Sequence, residues 1–294
     1  MRYLTGLVLS LPLIGAYAIF AVGIVLIYRA SHVLNLAHGA MAMAPAYVVY
    51  ALVGAGVPTV IAFPFGLLSG ICLGLGVERL FVRRLRPDGP TAQTVGTVAA
   101  LGVLVAVAAR VWGTSSLDAV RIFPNGSVPI GLSEISYGEI GLFVVMLLIA
   151  GALFALLQWT DLGLMMRGTA ESRLAAALHG VNPDRITELT WALGGGLAAL
   201  AGIMLAAVTT LHPYTLALQA LPGFIAALIG GLGSLPGALA GAAIVGVTLG
   251  MVPFLGPVGA PQGAPQLFLA VAAMLVMALR GATLTGSDVR EDSL

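Results

Sequence analysis

The chain is 294 residues long and 59% apolar, and its 13 basic and 12 acidic residues make up only 9% of it. Soluble domains are typically ~25% charged, and a mean hydropathy of +1.04 leaves no charged shell with which a globule of this size could face water. The composition selects a polytopic membrane protein, all-α because helices satisfy their own backbone in lipid.

All 13 basic residues are Arg. Without Lys the chain cannot build a P-loop or a Schiff-base site, and a net charge of +1 gives no basic footprint for nucleic acid. Cys72 stands alone in an apolar run, which excludes an internal disulfide framework or a cysteine metal site. His32, His38, His179 and His212 are too scattered to form a metal set. Neither H-E-x-x-H nor G-x-S-x-G occurs, so catalysis by this chain is not expected, and neither is a cofactor or metal of its own.

Apolar stretches run in order at about 6–28, 36–54, 58–78, 93–112, 139–159, 186–208, 216–232, 235–255 and 264–280. A spanning helix needs ~20 mainly apolar residues, so the count is eight or nine, with 216–232 marginal. The first run continues to Ile27, longer than the ~7–15 residues of a signal-peptide core, and reads as a retained helix. The whole chain, 1–294, reads as one transmembrane domain.

With nine spans, the connections on one side carry Arg29, Arg79, Arg83, Arg84, Arg86, Arg167, Arg173, Arg185, Arg280 and Arg290, and those on the other only Arg2, Arg110 and Arg121. The positive-inside rule then puts the 79–92 and 160–185 loops and the C-terminus in the cytoplasm. The N-terminus and a Ser-, Pro- and Gly-rich loop at 113–138 fall outside.

Two segments interrupt the apolar pattern. In Ser31-His32-Val33-Leu34-Asn35-Leu36-Ala37-His38-Gly39, Asn35 suits the cap of a helix starting at Leu36. The segment reads either as a break on a substrate path or as a tight turn. In Gly230-Gly231-Leu232-Gly233-Ser234-Leu235-Pro236-Gly237 the turn is the first reading and the path the alternative. Small residues recur at four-residue spacing at Gly70 and Gly74, at Gly194, Ala198 and Gly202, at Gly233, Gly237 and Gly241, and at Gly246 and Gly250. On helices these let neighbouring backbones approach closely.

The 160–185 loop holds strong helix formers over 170–178, then Gly180 as a stop, then Asn182-Pro183-Asp184 as the cap, first position and dipole-matched acid of the next helix. A short helix of two to three turns is expected, with Ala170, Leu174, Ala177 and Leu178 on one stripe. That stripe buries itself either against the protein's own helix ends and the lipid interface or in the groove of a soluble partner.

The run Val33-Leu34-Asn35-Leu36-Ala37-His38-Gly39 followed by Ala46-Tyr47 resembles the N-F-A-H-G-E...G-A-Y region of permease subunits of branched-chain amino-acid ABC importers. The loop with Arg167, Glu171, Ala175, Ala176, Gly180, Val181, Asn182, Asp184 and Arg185 is similar to that family's R...E...A-A...G-I-N-x-x-R segment, and Gly230–Gly237 with Gly241 to its G-G-x-G-S-x-P-G...G segment. The matches fall in family order. The resemblance implies a type II-like ABC importer permease architecture in a bacterial inner membrane. It implies two cytoplasmic ATPases that use the ATP, a second identical or related permease, and a solute-binding protein outside. It also implies that Arg167, Glu171, Ala175, Ala176, Gly180, Asp184 and Arg185 belong to the element that couples to an ATPase. Here the family's acid after His-Gly is Ala40 and its Gly before Ala-Tyr is Pro45, so amides, urea and aromatic acids stand beside amino acids as solutes.

The alternative function is an ion- or proton-coupled secondary transporter or channel. Such carriers place ionisable residues within the bilayer, and only His38 fits. A histidine at a helix start is more often hydrogen-bonded to backbone than a relay. Substrate-path candidates are Asn35, His38, Gly39, Gly233 and Ser234, with Thr209 and Thr210 at the outer end; capping or packing is the competing reading for each.

Overall fold

A computed structural model of the chain describes residues 2–118, 120, 122, 126–130, 133–207, 210–252, 264, 267–276 and 278. Arg121, Thr209, Arg280 and Arg290 lie outside the described residues. The helices are α1 (Arg2–Ser31), α2 (His38–Gly54), α3 (Thr59–Val77), α4 (Gly89–Trp112), α5 (Tyr137–Trp159), α6 (Asp161–Glu171), α7 (Arg173–Leu178), α8 (Pro183–Ala206), α9 (Pro213–Leu218), α10 (Ala220–Gly230) and α11 (Leu235–Met251). A π turn (Glu78–Val82) and a 3₁₀ turn (Arg83–Asp88) carry α3 into α4. The 113–138 loop contains a two-stranded antiparallel hairpin, β1 (Ser127–Ile130) on β2 (Ser133–Ser136), with Ser127 opposite Ser136, a small exception to the all-α expectation.

Among the described residues, five helical stretches are long and apolar enough to cross a membrane: Ser10–Ser31, the 54-residue Thr59–Trp112 that holds both α3 and α4, Tyr137–Trp159, Pro183–Ala206, and Pro213–Gly230, which joins α9 to α10. His38–Gly54, Leu235–Met251 and Leu267–Val276 are shorter apolar helices. The spanning windows of α1 and α8 are 83% and 78% buried, and that of α5 only 17%. So α1 and α8 form the centre of the bundle, and α5 turns side chains such as Leu147 and Leu148 outward. Lipid tails are as apolar as these surfaces, so burial alone gives little reason for helices to associate; close packing must supply it.

Glycine provides that packing. A Cβ at Gly74 would lie 2.1 Å from the Trp191 carbonyl oxygen, and one at Gly195 would lie 2.3 Å from the Gly70 carbonyl oxygen, so α3 and α8 meet backbone to backbone. Gly237 and Gly241 press on α10 in the same way, and Gly246 and Gly250 press on Ile14 and Ser10 of α1. Gly233 is a correction to the expected stripe: it sits in the turn between α10 and α11, where a Cβ would meet nothing within 4 Å.

Helix ends follow the chemistry of the sequence in most places. Ser136 and Glu139 form a reciprocal capping box at α5. Asn182 Oδ1 accepts from the amides of Asp184 and Arg185 at the start of α8, as expected. Ser234 caps α11 through the Gly237 amide, which bears out the turn reading of the Gly-rich segment. Asn35 does not cap: α2 begins at His38 rather than Leu36, with Ala37 in the cap position and no side-chain cap bond.

Gly74→Val forces a branched side chain into the Trp191 backbone, and overpacking of this kind costs about 1–3 kcal/mol. Gly76→Ala enters open space. The detergent-solubilised melting temperature should fall for the first and hold for the second.

Candidate functional site

The first candidate region is the break between α1 and α2. His32 ends α1 with a φ of 54°, the left-handed position that glycine usually fills at a helix C-terminus, and its amide donates to the Tyr28 carbonyl at 2.7 Å. The chain then runs back into the bundle unwound. The His38 ring lies against Gly23, where a Cβ would sit 2.8 Å from Nε2, eight residues and about 12 Å of helical rise before the end of α1. So α2 begins at membrane depth, and the interrupted backbone must be satisfied by protein. Thr97 of α4, fully buried, does this: its Oγ1 accepts from the Leu36 amide at 3.0 Å and lies 3.1 Å from the Leu34 carbonyl oxygen.

Asn35, His38 and Gly39 come together here. Asn35 Nδ2 donates to Met41 Sδ at 3.3 Å while Oδ1 is buried without a partner. Neither ring nitrogen of His38 has a partner, although the residue is fully buried; the expectation of a backbone-bonded histidine is overturned. The ring stands edge-on to Phe20, with centroids 6.0 Å apart. Gly39 does not leave room for a solute, since a Cβ there would lie 1.8 Å from the Ala217 carbonyl oxygen; it admits α9 instead. Gly233 and Ser234 lie elsewhere, exposed in the α10–α11 turn, and Thr210 is exposed beside the Leu117–Leu211 bridge.

The second region is the arginine-rich end. Arg29 lies in the last turn of α1, and Arg79, Arg83, Arg84 and Arg86 lie in the turns after α3. Arg167, Arg173 and Arg185 follow on α6, α7 and α8, whereas Arg110 ends α4 at the other side. An ionic network binds this end. Glu78, with no exposed surface, accepts from Arg83 Nε at 3.2 Å and Nη2 at 2.9 Å and from Arg86 Nη2 at 2.9 Å. The π turn, with its i to i+5 bonding, brings Arg83 over Glu78. Arg83 also pairs with Glu188, Arg79 reaches Glu188 at 3.0 Å, and Arg86 and Arg173 both reach Asp184 Oδ1 at 2.6 Å.

The loop helix divides where one helix was expected. Ser172 breaks it and caps α7 through the Ala175 amide, so α6 and α7 meet at an angle set by an extended residue. This sorts the coupling candidates. Arg167 donates to the Leu157 carbonyl, Ala176 is buried, and Asp184 is held by two arginines. Glu171, Ala175, Gly180 and Arg185 are exposed. Of the stripe, Leu174 and Leu178 are 73% and 80% exposed, so neither buries itself against the bundle. Gly180, at φ +81°, makes the expected stop.

Sequence reasoning missed Thr97 and the Glu78 network. A lone acid at a span end followed by four arginines within eight residues was the available sign of the network. A threonine within an apolar run gave none.

Glu78→Gln removes the charge that two guanidinium groups share, and breaking such a buried pairing should destabilise the chain by on the order of 3 kcal/mol. The exposed Arg79→Ala should cost at most about 1 kcal/mol. Thermal unfolding of the two variants in one detergent checks the contrast. Thr97→Val leaves the Leu36 amide unmet, at about 1–3 kcal/mol, and Thr97→Ser should restore the melting temperature.

Residues 6–280 match the model of a family described as branched-chain amino acid transport system / permease component. The chain is 27% identical over 249 residues to the high-affinity branched-chain amino acid transport system permease protein LivH of Escherichia coli K12, covering 79% of this chain and 80% of that protein. It is 29% identical over 261 residues to BraD of Pseudomonas aeruginosa, of the same description, covering 84% and 85%. A probable branched-chain amino acid transport permease protein LivH of Methanocaldococcus jannaschii is 28% identical over 240 residues, covering 78% and 74%. Among solved structures, PsaBC from Streptococcus pneumoniae in complex with Fab aligns over 91% of this chain and 89% of that one, with 16% identity and a TM-score of 0.46. Since the family match runs from the first spanning helix to beyond the last described residue, the chain belongs to the permease components of branched-chain amino acid transport systems.

Proposed function

We propose that the chain is the membrane-spanning half of an ATP-driven importer in a bacterial inner membrane, moving branched-chain amino acids or closely related small solutes inward. Its energy comes from two cytoplasmic ATPases, since without Lys it has no phosphate-binding loop of its own. A second permease, identical or related, completes the path, and a solute-binding protein delivers from outside. The solute assignment rests on the relatives' described transport of branched-chain amino acids.

The observation that carries the coupling half of this reading is the exposed pair Leu174 and Leu178 on α7. Two leucines displayed on a short helix at the charged end fit an apolar groove on a soluble partner, with Glu171 and Arg185 at the rim. Arg167, Ala176 and Asp184 hold the loop from behind. The Arg173–Asp184 pair, with side chains 43% and 55% exposed, contributes only about 0–1 kcal/mol, so α7 can shift without disrupting the buried Glu78 cluster. Movement passed through rigid helices would open the path to each side in turn, with Asn35 and His38 as its polar contacts.

Leu174→Asp, Leu178→Asp and Glu171→Arg should each cut capture of the ATPase subunits and ATP-dependent leucine accumulation in proteoliposomes at least tenfold, while the purified permease melts as before. Normal capture and uptake in all three would sink the coupling assignment. Uptake that survives ATP depletion but stops when the proton gradient is dissipated would point to an ion-coupled carrier.

A further inference from the structure

A cavity of about 250 Å³ opens at the arginine-rich end, lined by Ser31, Val82, Arg86, Gln93, Arg173 and Thr187. These residues come from α1, the π turn, the 3₁₀ turn, α4, α7 and α8, so the cavity lies where the loop helix meets the bundle. The surrounding network holds four arginines, Arg79, Arg83, Arg86 and Arg173, against three carboxylates, Glu78, Asp184 and Glu188. One positive charge is in excess.

The donors and acceptors left over describe an occupant. A guanidinium has five N–H groups. Arg86 uses two on Asp184 and Glu78, and Arg173 uses two on Asp184 and Thr187, so each keeps three. Gln93 is only 7% exposed, and its side chain makes no hydrogen bond among the described residues. Its amide therefore keeps two donors and one acceptor for a cavity ligand. Thr187 Oγ1 donates to the Pro183 carbonyl and accepts from Arg173, and Ser31 Oγ donates to the Ile27 carbonyl, so Thr187 keeps one acceptor lone pair and Ser31 two. Val82 is a small apolar wall.

We propose that this cavity binds one small monocarboxylate from the ATPase side. The carboxylate bridges Arg86 and Arg173 with Gln93 donating, and the lone pairs left on Ser31 and Thr187 accept from an ammonium or hydroxyl group. A single excess charge matches a monoanion better than a phosphate dianion. That the physiological occupant is the imported amino acid rests on the importer reading above; the carboxylate site itself does not. An occupant adds a second tie between the start of α7 and the bundle beside the exposed Arg173–Asp184 pair, and so slows the movement of α7.

The test uses the full chain in phosphatidylcholine nanodiscs, with radiolabelled isovalerate as probe. One isovalerate should bind per chain and be displaced by L-leucine, while leucinamide, which lacks the carboxylate, competes at least tenfold less well. Gln93→Glu, which sets a like charge against the ligand, should weaken binding at least tenfold with the melting temperature held. If that variant fails to fold, Gln93→Leu carries the same comparison. Binding unchanged in the variant that folds, displacement by leucinamide as readily as by leucine, or stronger displacement by inorganic phosphate would each overturn the proposal. So would loss of isovalerate binding on replacing a third of the lipid with phosphatidylglycerol, which would make a lipid headgroup the occupant. An assembled importer that ignores leucine while its permease still binds isovalerate through Gln93 would defeat the solute reading and leave the site standing. Leucine import with no isovalerate binding would defeat the site alone.

Discussion

A polar group inside a lipid-embedded bundle has no water to turn to, so leaving it without a protein partner is costly. Two places carry most of this burden. Where α1 stops and α2 starts below the surface, Thr97 meets the unwound backbone on both sides of Asn35, at the Leu34 carbonyl and the Leu36 amide. Where α3 ends, Glu78 has no exposed surface, and its two oxygens accept from Arg83 and Arg86. The α1–α2 break and the arginine-rich end each contain a polar group satisfied within the protein, Thr97 in one and Glu78 in the other.

Stiffness and looseness are divided along the same lines. Glycine contacts join α3 to α8, α10 to α11 and α11 to α1 with backbones touching, so these helices are tightly packed pairs. The charged end grades outward, from a buried carboxylate holding two guanidinium groups to a half-exposed pair at Asp184 and Arg173. Salt and water screen the outer link far more than the inner one. The link at α7 is therefore the weaker one, with a firmer frame behind it at Glu78.

Much of this was legible in the sequence because composition and apolar run length are dictated by the bilayer. Glycine spacing, the Asn182-Pro183-Asp184 cap and the Gly180 stop were legible for similar reasons, each being a local backbone requirement. Arginine asymmetry located the end at which the ion pairs gather. What failed depended on neighbours distant in the chain. Gly39 reads as space until α9 is seen filling it with the Ala217 carbonyl, and Asn35 reads as a cap until its amide is found on Met41. The expected single loop helix missed Ser172, whose hydroxyl competes for the backbone and starts a new turn. Thr97 is one polar atom in an apolar run, and its role needs a partner 61 residues away.

The burial of α1 bears on how such a molecule is made. Its face is covered by α8, α10 and α11, all synthesised long after it. During insertion that helix must wait, solvated by lipid chains, with the close-approach surface at Ile14 and Ser10 uncovered until Gly246 and Gly250 emerge. Assembly of this bundle cannot proceed strictly in order of synthesis: its centre closes only when late-arriving segments return to the earliest one, a topology that favours slow maturation and reliance on the insertion machinery to shelter the unfinished intermediate.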